Sequence, residues 1–248
     1  MKKLLFILLV FHFSLITLKA QVDTGKKVAG FVTLGYGLCQ PVSSFGSTAN
    51  NPSSGYAQTG TANNLSFGIM INSINFGFAF MRSTSNNNYN VDAYTNNLQA
   101  NLPSSSYKAT SGKQPYLGGY IFYGIYKAFY ISRFTFDARV MLGPCSVILP
   151  ITTYGEIYNG LQSSYYINAG TISATAYSVG LAVRYSITKG FCASLDVTYI
   201  YTQLNYSTTE NYADNNGNTQ TYPITGSLPV SLLNVSLNLG WQFGRNLK

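Results

Sequence analysis

Charged side chains are scarce in this sequence of 248 residues. Only 9% of the residues are Asp, Glu, Lys or Arg, whereas about 25% is usual in a soluble domain. This composition excludes a typical cytosolic enzyme surface. The formal net charge of +8 would suit a nucleic-acid partner, but Lys2, Lys3 and Lys19 lie in a segment that export would remove. We therefore predict no nucleic-acid partner.

The N-terminal segment has the features of a secretory signal peptide. A basic start is followed by an apolar run over residues 4–18 and by a small residue, Ala20, at the expected cleavage point. The run is shorter than the roughly 20 residues that a transmembrane helix needs. The sequence therefore predicts a cleaved signal peptide over residues 1–20 and a mature chain over residues 21–248.

Histidine is absent from the predicted mature chain, because His12 is the single histidine. A histidine base for a nucleophile and imidazole ligation of zinc are therefore both excluded. Paired carboxylates are also few, since Glu156 and Glu210 fall in predicted loops while Asp137 and Asp196 have arginine neighbours. We expect no catalytic residue, no metal and no cofactor, and hence a protein that is not an enzyme.

After residue 20 the sequence has no uninterrupted apolar run of about 18 residues, which excludes a helical membrane protein. The dominant pattern is instead an alternation of apolar and polar residues, which is typical of β-strands. It is clearest over residues 234–244, and a strand of that length can cross a membrane when tilted. Eight such strands are predicted, near residues 29–39, 65–71, 74–82, 116–126, 129–142, 176–187, 190–203 and 230–243.

The predicted connections alternate in length. Those after the second, fourth and sixth strands are short turns, one of them near Lys127 and Ala128, whereas the other four are long loops rich in Asn, Ser, Thr, Gly and Tyr. Short turns on one rim and long loops on the other are typical of a transmembrane β-barrel. The fold class is therefore all-β: an eight-stranded antiparallel transmembrane β-barrel over residues 21–248 with four long extracellular loops. The loops around Asn216–Gly217 and over residues 146–175 can extend the strands, and a ten-stranded barrel is the alternative if the loops contain further strands.

The polar face of the predicted strands carries mainly Gly, Ser, Ala, Thr and Asn, as suits the inside of a narrow barrel. With the signal peptide and the loop layout, this architecture resembles the small Gram-negative outer-membrane barrels, namely the OmpA transmembrane domain, OmpX and OmpW-like proteins. The last strand also matches their assembly signal, with Asn238, Gly240 and Phe243. The resemblance implies the cell outer membrane as the location, with its lipid and its insertion machinery as partners.

Five charged residues share the parity of the small residues on the predicted strands: Arg133, Asp137, Arg139, Arg184 and Asp196. An arginine facing lipid near the midplane costs about 2 to 4 kcal/mol. We therefore expect all five side chains to point inward and to form one lumen polar network. Such a network is either a plug or, given its surplus of one positive charge, part of an ion-selective path.

The sequence leaves two functions open. One is a non-enzymatic membrane anchor whose extracellular loops serve surface interaction or envelope integrity through an unknown extracellular ligand. The other, implied by the OmpW resemblance, is a narrow pore or carrier for small or hydrophobic solutes. The three cysteines, Cys39, Cys145 and Cys192, are expected to form no intrachain disulfide. Several loop tyrosines are candidates either for ligand contact or for packing the loops together. They are Tyr56, Tyr89, Tyr94, Tyr107, Tyr158, Tyr165, Tyr166, Tyr206 and Tyr212.

Overall fold

The computed structural model describes residues 28–49, 54–101, 105–111, 114–158, 161–167 and 170–244. The predicted signal peptide lies outside these residues. The strands are β1 (Val28–Pro41), β2 (Gly60–Ile71), β3 (Phe76–Asn87), β4 (Ser105–Ser111), β5 (Tyr116–Ile131), β6 (Phe134–Ile148), β7 (Thr152–Tyr158), β8 (Leu161–Ile167), β9 (Thr171–Ser186), β10 (Phe191–Asp214) and β11 (Thr219–Phe243). A 3-10 helix covers Ser43–Gly46, and helix α1 covers Val91–Asn101. Neither described helix is long and apolar enough to cross a membrane.

Eight of these strands form a closed antiparallel ring in the order β1, β2, β3, β5, β6, β9, β10 and β11. The ring closes because β11 pairs with β10 on one side and with β1 on the other. Each of these strands overlaps one of the eight that the sequence predicted, so the eight-stranded antiparallel barrel is confirmed. The three further strands, β4, β7 and β8, lie outside the ring, and the ten-stranded alternative is not adopted.

The outward face of the ring is an apolar belt. Large apolar side chains point away from the barrel on every strand, and Leu34, Phe78 and Leu237 are 66%, 72% and 72% exposed. A soluble protein rarely exposes a continuous apolar surface of this kind, whereas a transmembrane barrel presents such a band to lipid. The same strands turn their alternate residues inward, where most are buried.

Three short turns form one rim of the ring, which we call the turn side, while the opposite rim is the loop side. The turn between β5 and β6 is not near Lys127 and Ala128, as predicted, since both residues lie within β5. The reversal is at Ser132 and Arg133 instead, where Ile131 pairs with Phe134. Ser132 adopts a left-handed backbone conformation with φ of 52°, which the tight turn requires and which its residue type did not reveal.

The loop side carries a sheet that projects beyond the ring. Strands β10 and β11 stay paired from Phe191–Trp241 as far as Ala213–Thr219. They form the long hairpin suggested by Asn216–Gly217, and Gly217 has φ of +82°. The outer end of β10 also pairs with β8, β8 pairs with β7, and β7 pairs with β4. We call these three strands, with the outer ends of β10 and β11, the extension.

Candidate functional site

The barrel lumen brings four of the five predicted charged residues together. Asp137 and Arg139 lie on β6, Arg184 on β9 and Asp196 on β10, and these three strands are consecutive in the ring. All four residues are buried. Arg139 donates through Nη1 to Oδ2 of Asp196 at 3.1 Å and through Nη2 to Oδ2 of Asp137 at 3.3 Å. Arg184 donates to the same oxygen of Asp137, so one carboxylate links both guanidinium groups.

Arg133, the fifth predicted member, does not lie in the lumen. It is exposed in the turn between β5 and β6, because that turn lies several residues further along than its predicted position. The cluster therefore contains two arginines and two aspartates and has no net charge. The surplus positive charge expected from the sequence, on which ion selectivity would depend, is missing from this part of the lumen.

A chain of hydrogen bonds continues from the ion pairs across the barrel. The amide nitrogen of Asn238 donates to Ser194 Oγ at 3.1 Å, and Ser194 donates to Oδ1 of Asp196 at 2.8 Å. Further back, Ser83 donates to Asn64, Asn64 to Ser236, and Ser236 to Asn238. We call this series of six residues the polar chain. They are, in order of donation, Ser83, Asn64, Ser236, Asn238, Ser194 and Asp196.

Every donor in the polar chain points toward the Asp196 carboxylate. Aligned hydrogen bonds of this kind polarise and strengthen one another in a low-dielectric interior. Gly35 makes room for the chain, because a Cβ atom there would lie 1.5 Å from Oδ1 of Asn238. Asn64 and Ser83 lie just outside the predicted strands and were not predicted to belong to the site, although their polarity at positions that continue the inward face was a usable signal.

Phe31 closes the turn side of the charged cluster. The guanidinium carbon of Arg184 lies 3.7 Å from the centroid of the Phe31 ring, and that of Arg139 lies 5.2 Å from it. Tyr126 packs edge-on against the same ring at 5.7 Å. A cavity lined by Phe31, Tyr126 and Arg184 has a volume of about 10 Å³, which is room for a single water at most. Cation–π contacts and close packing therefore fill the space around Phe31.

Apolar side chains predominate in the loop-side half. Tyr120 and Phe122 stack there with ring centroids 5.9 Å apart. Cys39 and Cys145 also lie in this half and, like Cys192 near the turn side, each is a buried free thiol. The fully buried members of this apolar plug come from five strands of the ring. They are Cys39, Tyr120, Phe122, Val147, Ile200, Leu204, Val230 and Leu232.

Tyrosines connect the mouth of the barrel to the extension. Phe45, carried by the 3-10 helix, is 1% exposed and packs on Tyr116 at 5.0 Å. From Tyr116 an unbroken series of ring contacts reaches β10. We call the series the tyrosine ladder. Its members are Tyr116, Tyr89, Tyr56, Tyr94, Tyr154, Tyr165 and Tyr212.

Two carboxylates hold the outer part of the ladder. Tyr154 donates to Glu210 and Tyr165 donates to Glu156, each at 2.6 Å, and their rings stack at 4.9 Å. Burial raises the pKa of the Tyr89 and Tyr154 hydroxyls well above the usual value near 10. Both therefore stay protonated at physiological pH. These glutamates anchor the extension, a role that their sequence positions did not reveal.

The ladder shows how the structure uses most of the predicted loop tyrosines. Tyr56 is 7% exposed and Tyr89 is half-buried, so both pack the loops. Tyr166, by contrast, is 39% exposed. Tyr107 and Tyr158 lie in β4 and β7, but their side chains fall outside the described part of the chain.

A groove with a volume of about 650 Å³ lies at the tip of the extension. Its lining combines aromatic faces with carboxylate, amide and hydroxyl groups. Asp214 organises the turn beside it, because its carboxylate accepts hydrogen bonds from the backbone of Asn216 and from the backbone and side chain of Asn218. Those bonds, first among them the one from the Asn218 side chain, lower the pKa of Asp214. The groove is lined by Tyr165, Tyr212, Asp214, Asn218, Thr219, Gln220 and Tyr222.

The residues of the predicted assembly signal lie on the turn-side half of β11. Asn238 is buried in the polar chain, whereas Phe243 faces outward and is 43% exposed. Gly240 packs against the backbone of β1, where a Cβ atom would lie 2.0 Å from the carbonyl oxygen of Val32. The role of these residues in assembly stays a prediction, but Asn238 also has a structural role in the folded barrel.

No protein-family model and no curated protein sequence matches the chain. Among solved structures, the chain is similar to Ail, the attachment invasion locus protein of Yersinia pestis, at 12% identity over 88% of this chain and 99% of that one, with a TM-score of 0.43. It is similar to a major outer membrane protein of Thermus thermophilus at 9% identity, over 87% and 99% of the two chains, with a TM-score of 0.45. For Neisserial surface protein A the identity is 16%, the coverage 87% and 98%, and the TM-score 0.42.

Proposed function

We propose that the protein is a non-enzymatic outer-membrane barrel whose extension recognises a ligand at the cell surface. The observation that carries this proposal is the tyrosine ladder. It ties the extension to the barrel mouth through seven consecutive rings, and two hydrogen bonds to carboxylates fasten it further. A surface held this rigidly loses little conformational entropy when it binds a partner.

The chemistry of the tip groove favours a polyhydroxylated ligand such as a glycan. Tyr165, Tyr212 and Tyr222 offer flat aromatic faces, while Asp214 and Gln220 offer hydrogen-bonding groups. A few polar groups beside aromatic surface is the usual composition of a small-ligand site. The absence of histidine from residues 21–248 supports the non-enzymatic part of the proposal.

Binding of the protein in phosphatidylcholine nanodiscs to an array of immobilised glycans tests this function. We expect Tyr222→Ala to weaken binding about tenfold, which corresponds to about 1.4 kcal/mol. Tyr166→Ala is the matched control, because Tyr166 follows Tyr165 on β8 and points to the opposite face. If no glycan is bound, or if both variants bind as the unchanged protein does, the glycan proposal is wrong.

The alternative, a narrow pore or carrier, has less support. The neutral ion-pair cluster and the apolar plug fill successive levels of the lumen, and the cavity beside Arg184 is about 10 Å³. Planar-bilayer recording of the purified protein separates the two functions. We expect no steady conductance, and a reproducible conductance that Arg184→Ala alters would favour the pore.

A further inference from the structure

The face of the extension that holds the tip groove is acidic. Asp214 lines the groove, and the strand register brings two further carboxylates to the same face. Asp214 pairs with Ser163 and Ser163 pairs with Glu156, while Glu210 pairs with Tyr222 in the groove wall. Directly opposed residues of antiparallel strands point to the same side of a sheet. Three carboxylates therefore share the face of the groove.

No Lys or Arg side chain in the described part of the extension offsets these charges. Lys108 lies on β4, but its side chain falls outside the described residues, and β7 separates that strand from β8 and the groove. Of the other described basic residues outside the lumen, Arg82 lies on β3, and Lys127, Arg133 and Lys189 lie toward the turn side. The field at the groove therefore repels an anionic ligand and attracts a cationic one.

Asp214 keeps its negative charge toward the groove. Its Oδ1 atom accepts hydrogen bonds from the backbone of Asn216 and Asn218, and its Oδ2 atom accepts one from the side chain of Asn218. These bonds lower the pKa of Asp214, so the carboxylate is ionised at physiological pH. Because all the donors are neutral amides, they orient the carboxylate without neutralising it.

Three tyrosine rings complete a site that suits a cation. Tyr165 and Tyr212 have ring centroids 5.4 Å apart and ring planes 59° apart, so they offer faces in two orientations. Tyr222, which is 46% exposed, lines the groove from β11. The face of an aromatic ring attracts a cation that lies within about 6 Å of its centroid. A carboxylate beside several aromatic faces therefore matches a protonated amine better than a neutral group of the same size.

We propose that the tip groove selects glycans that carry free, protonated amino groups. The inference rests on the proposed glycan-binding function and adds to it the charge of the ligand. A sugar ring lies against a tyrosine face, its ammonium group meets the Asp214 carboxylate, and its hydroxyl groups meet Thr219 and Gln220. Acylation of the amine removes the positive charge and with it the preference.

A comparison of glucosamine oligosaccharides with N-acetylated oligosaccharides of the same length and linkage tests the inference. The two sets share the sugar ring and differ in charge. Binding to the protein in phosphatidylcholine nanodiscs is measured at a mildly acidic pH, which keeps the amines protonated. We expect the free-amine form to bind about threefold to thirtyfold more tightly, through an exposed ion pair together with cation–π contacts. A higher salt concentration should reduce this difference.

Asp214→Asn removes the charge and preserves the turn, because Asn retains the Oδ1 atom that accepts both backbone hydrogen bonds. We expect this variant to bind the free-amine form about twofold to fivefold more weakly and to change binding of the N-acetylated form much less. Asp92→Asn is the matched control, because it removes the same charge from the first turn of helix α1, outside the groove. It should keep the full preference for the free amine.

The outcomes separate this inference from the function on which it rests. Equal binding of the two forms by the unchanged protein would overturn the inference and leave glycan recognition standing, and an undiminished preference in Asp214→Asn would overturn the role of that carboxylate. If neither form nor any other glycan binds, the proposed function and this inference are both wrong. Equally tight binding of a lysine oligopeptide with the same number of amines would also overturn the inference, because the groove would then recognise a cationic chain and not a sugar.

Discussion

The two halves of the lumen are built from the same strands but stabilised by different interactions. On β10, Asp196 belongs to the ion pairs of the turn-side half, and Ile200, four residues later, belongs to the apolar plug. In the turn-side half the paired charges of Asp137, Arg139, Arg184 and Asp196 depend on particular partners, and losing one partner leaves the other unsatisfied. In the loop-side half the apolar side chains of the plug depend on the volume that they fill. A substitution that removes a partner in the turn-side half should therefore lower the free energy of unfolding in one large step. In the loop-side half the loss should grow gradually with the volume removed.

The turn-side half also specifies how the strands pair. Because side chains alternate between the two faces, a slip of one residue in β6 would turn Asp137 and Arg139 toward lipid. The present register instead places both beside Arg184 and Asp196. Buried ion pairs are weak evidence for stability in general. Here their contribution is to exclude wrong registers, which the interchangeable apolar residues of the plug do less well.

The largest expected effect comes from Asp137, because one of its oxygens accepts from both arginines. Replacing it by Ala removes the carboxylate that Arg184 pairs with and leaves Arg139 with Asp196 alone. We expect Asp137→Ala to lower the free energy of unfolding by about 3 to 5 kcal/mol, measured by urea unfolding of the protein folded in lipid vesicles. Asp214→Ala, in the exposed hairpin turn, is the control and should leave barrel unfolding unchanged. A loss at Asp137 no larger than at Asp214 would show that the cluster does not hold the barrel.

Ser194 tests the polar chain one step away from the charges. Its hydroxyl accepts from Asn238 and donates to Asp196, so Ser194→Ala leaves one donor and one acceptor without their partners. We expect a loss of about 1 to 3 kcal/mol in the same unfolding measurement. Ser207→Ala provides the matched control on β10, because Ser207 is exposed. Equal losses at the two serines would contradict a continuous chain.

Much of this organisation follows from the sequence, because the period-two alternation determines which residues face inward. It predicted the eight strands of the ring, and it placed Asp137, Arg139, Arg184 and Asp196 on one face. The prediction that Arg133 faces the lumen was wrong, because the alternation continues past Lys127 and does not indicate where the strand turns. The reversal depends instead on the backbone conformation of Ser132, which no periodicity records.

The extension was much harder to predict than the ring. Its strands are short, and β4 and β8 pair with strands that are remote in sequence. Ser105 pairs with Tyr158, and Ser163 pairs with Asp214. The loop tyrosines were visible as candidates, but whether they pack or bind depends on such long-range pairing. Ring contacts between Tyr94 and Tyr154, 60 residues apart, belong to the fold and not to any local pattern.

The smallest effect expected is in the apolar plug, where Ile200 is fully buried. Ile200→Val removes one methylene group without leaving any polar group unpaired, so it should cost about 0.5 to 1.5 kcal/mol in the unfolding measurement. Ile125→Val makes the same change on the belt, at a side chain that is 43% exposed, and should cost less than about 0.5 kcal/mol. The difference in free energy of unfolding between these two variants measures the contribution of packing inside the plug alone. If Ile200→Val lowered the free energy of unfolding as much as Asp137→Ala, the proposed difference between the two halves of the lumen would be wrong. The plug would then depend on individual contacts as strictly as the ion pairs do.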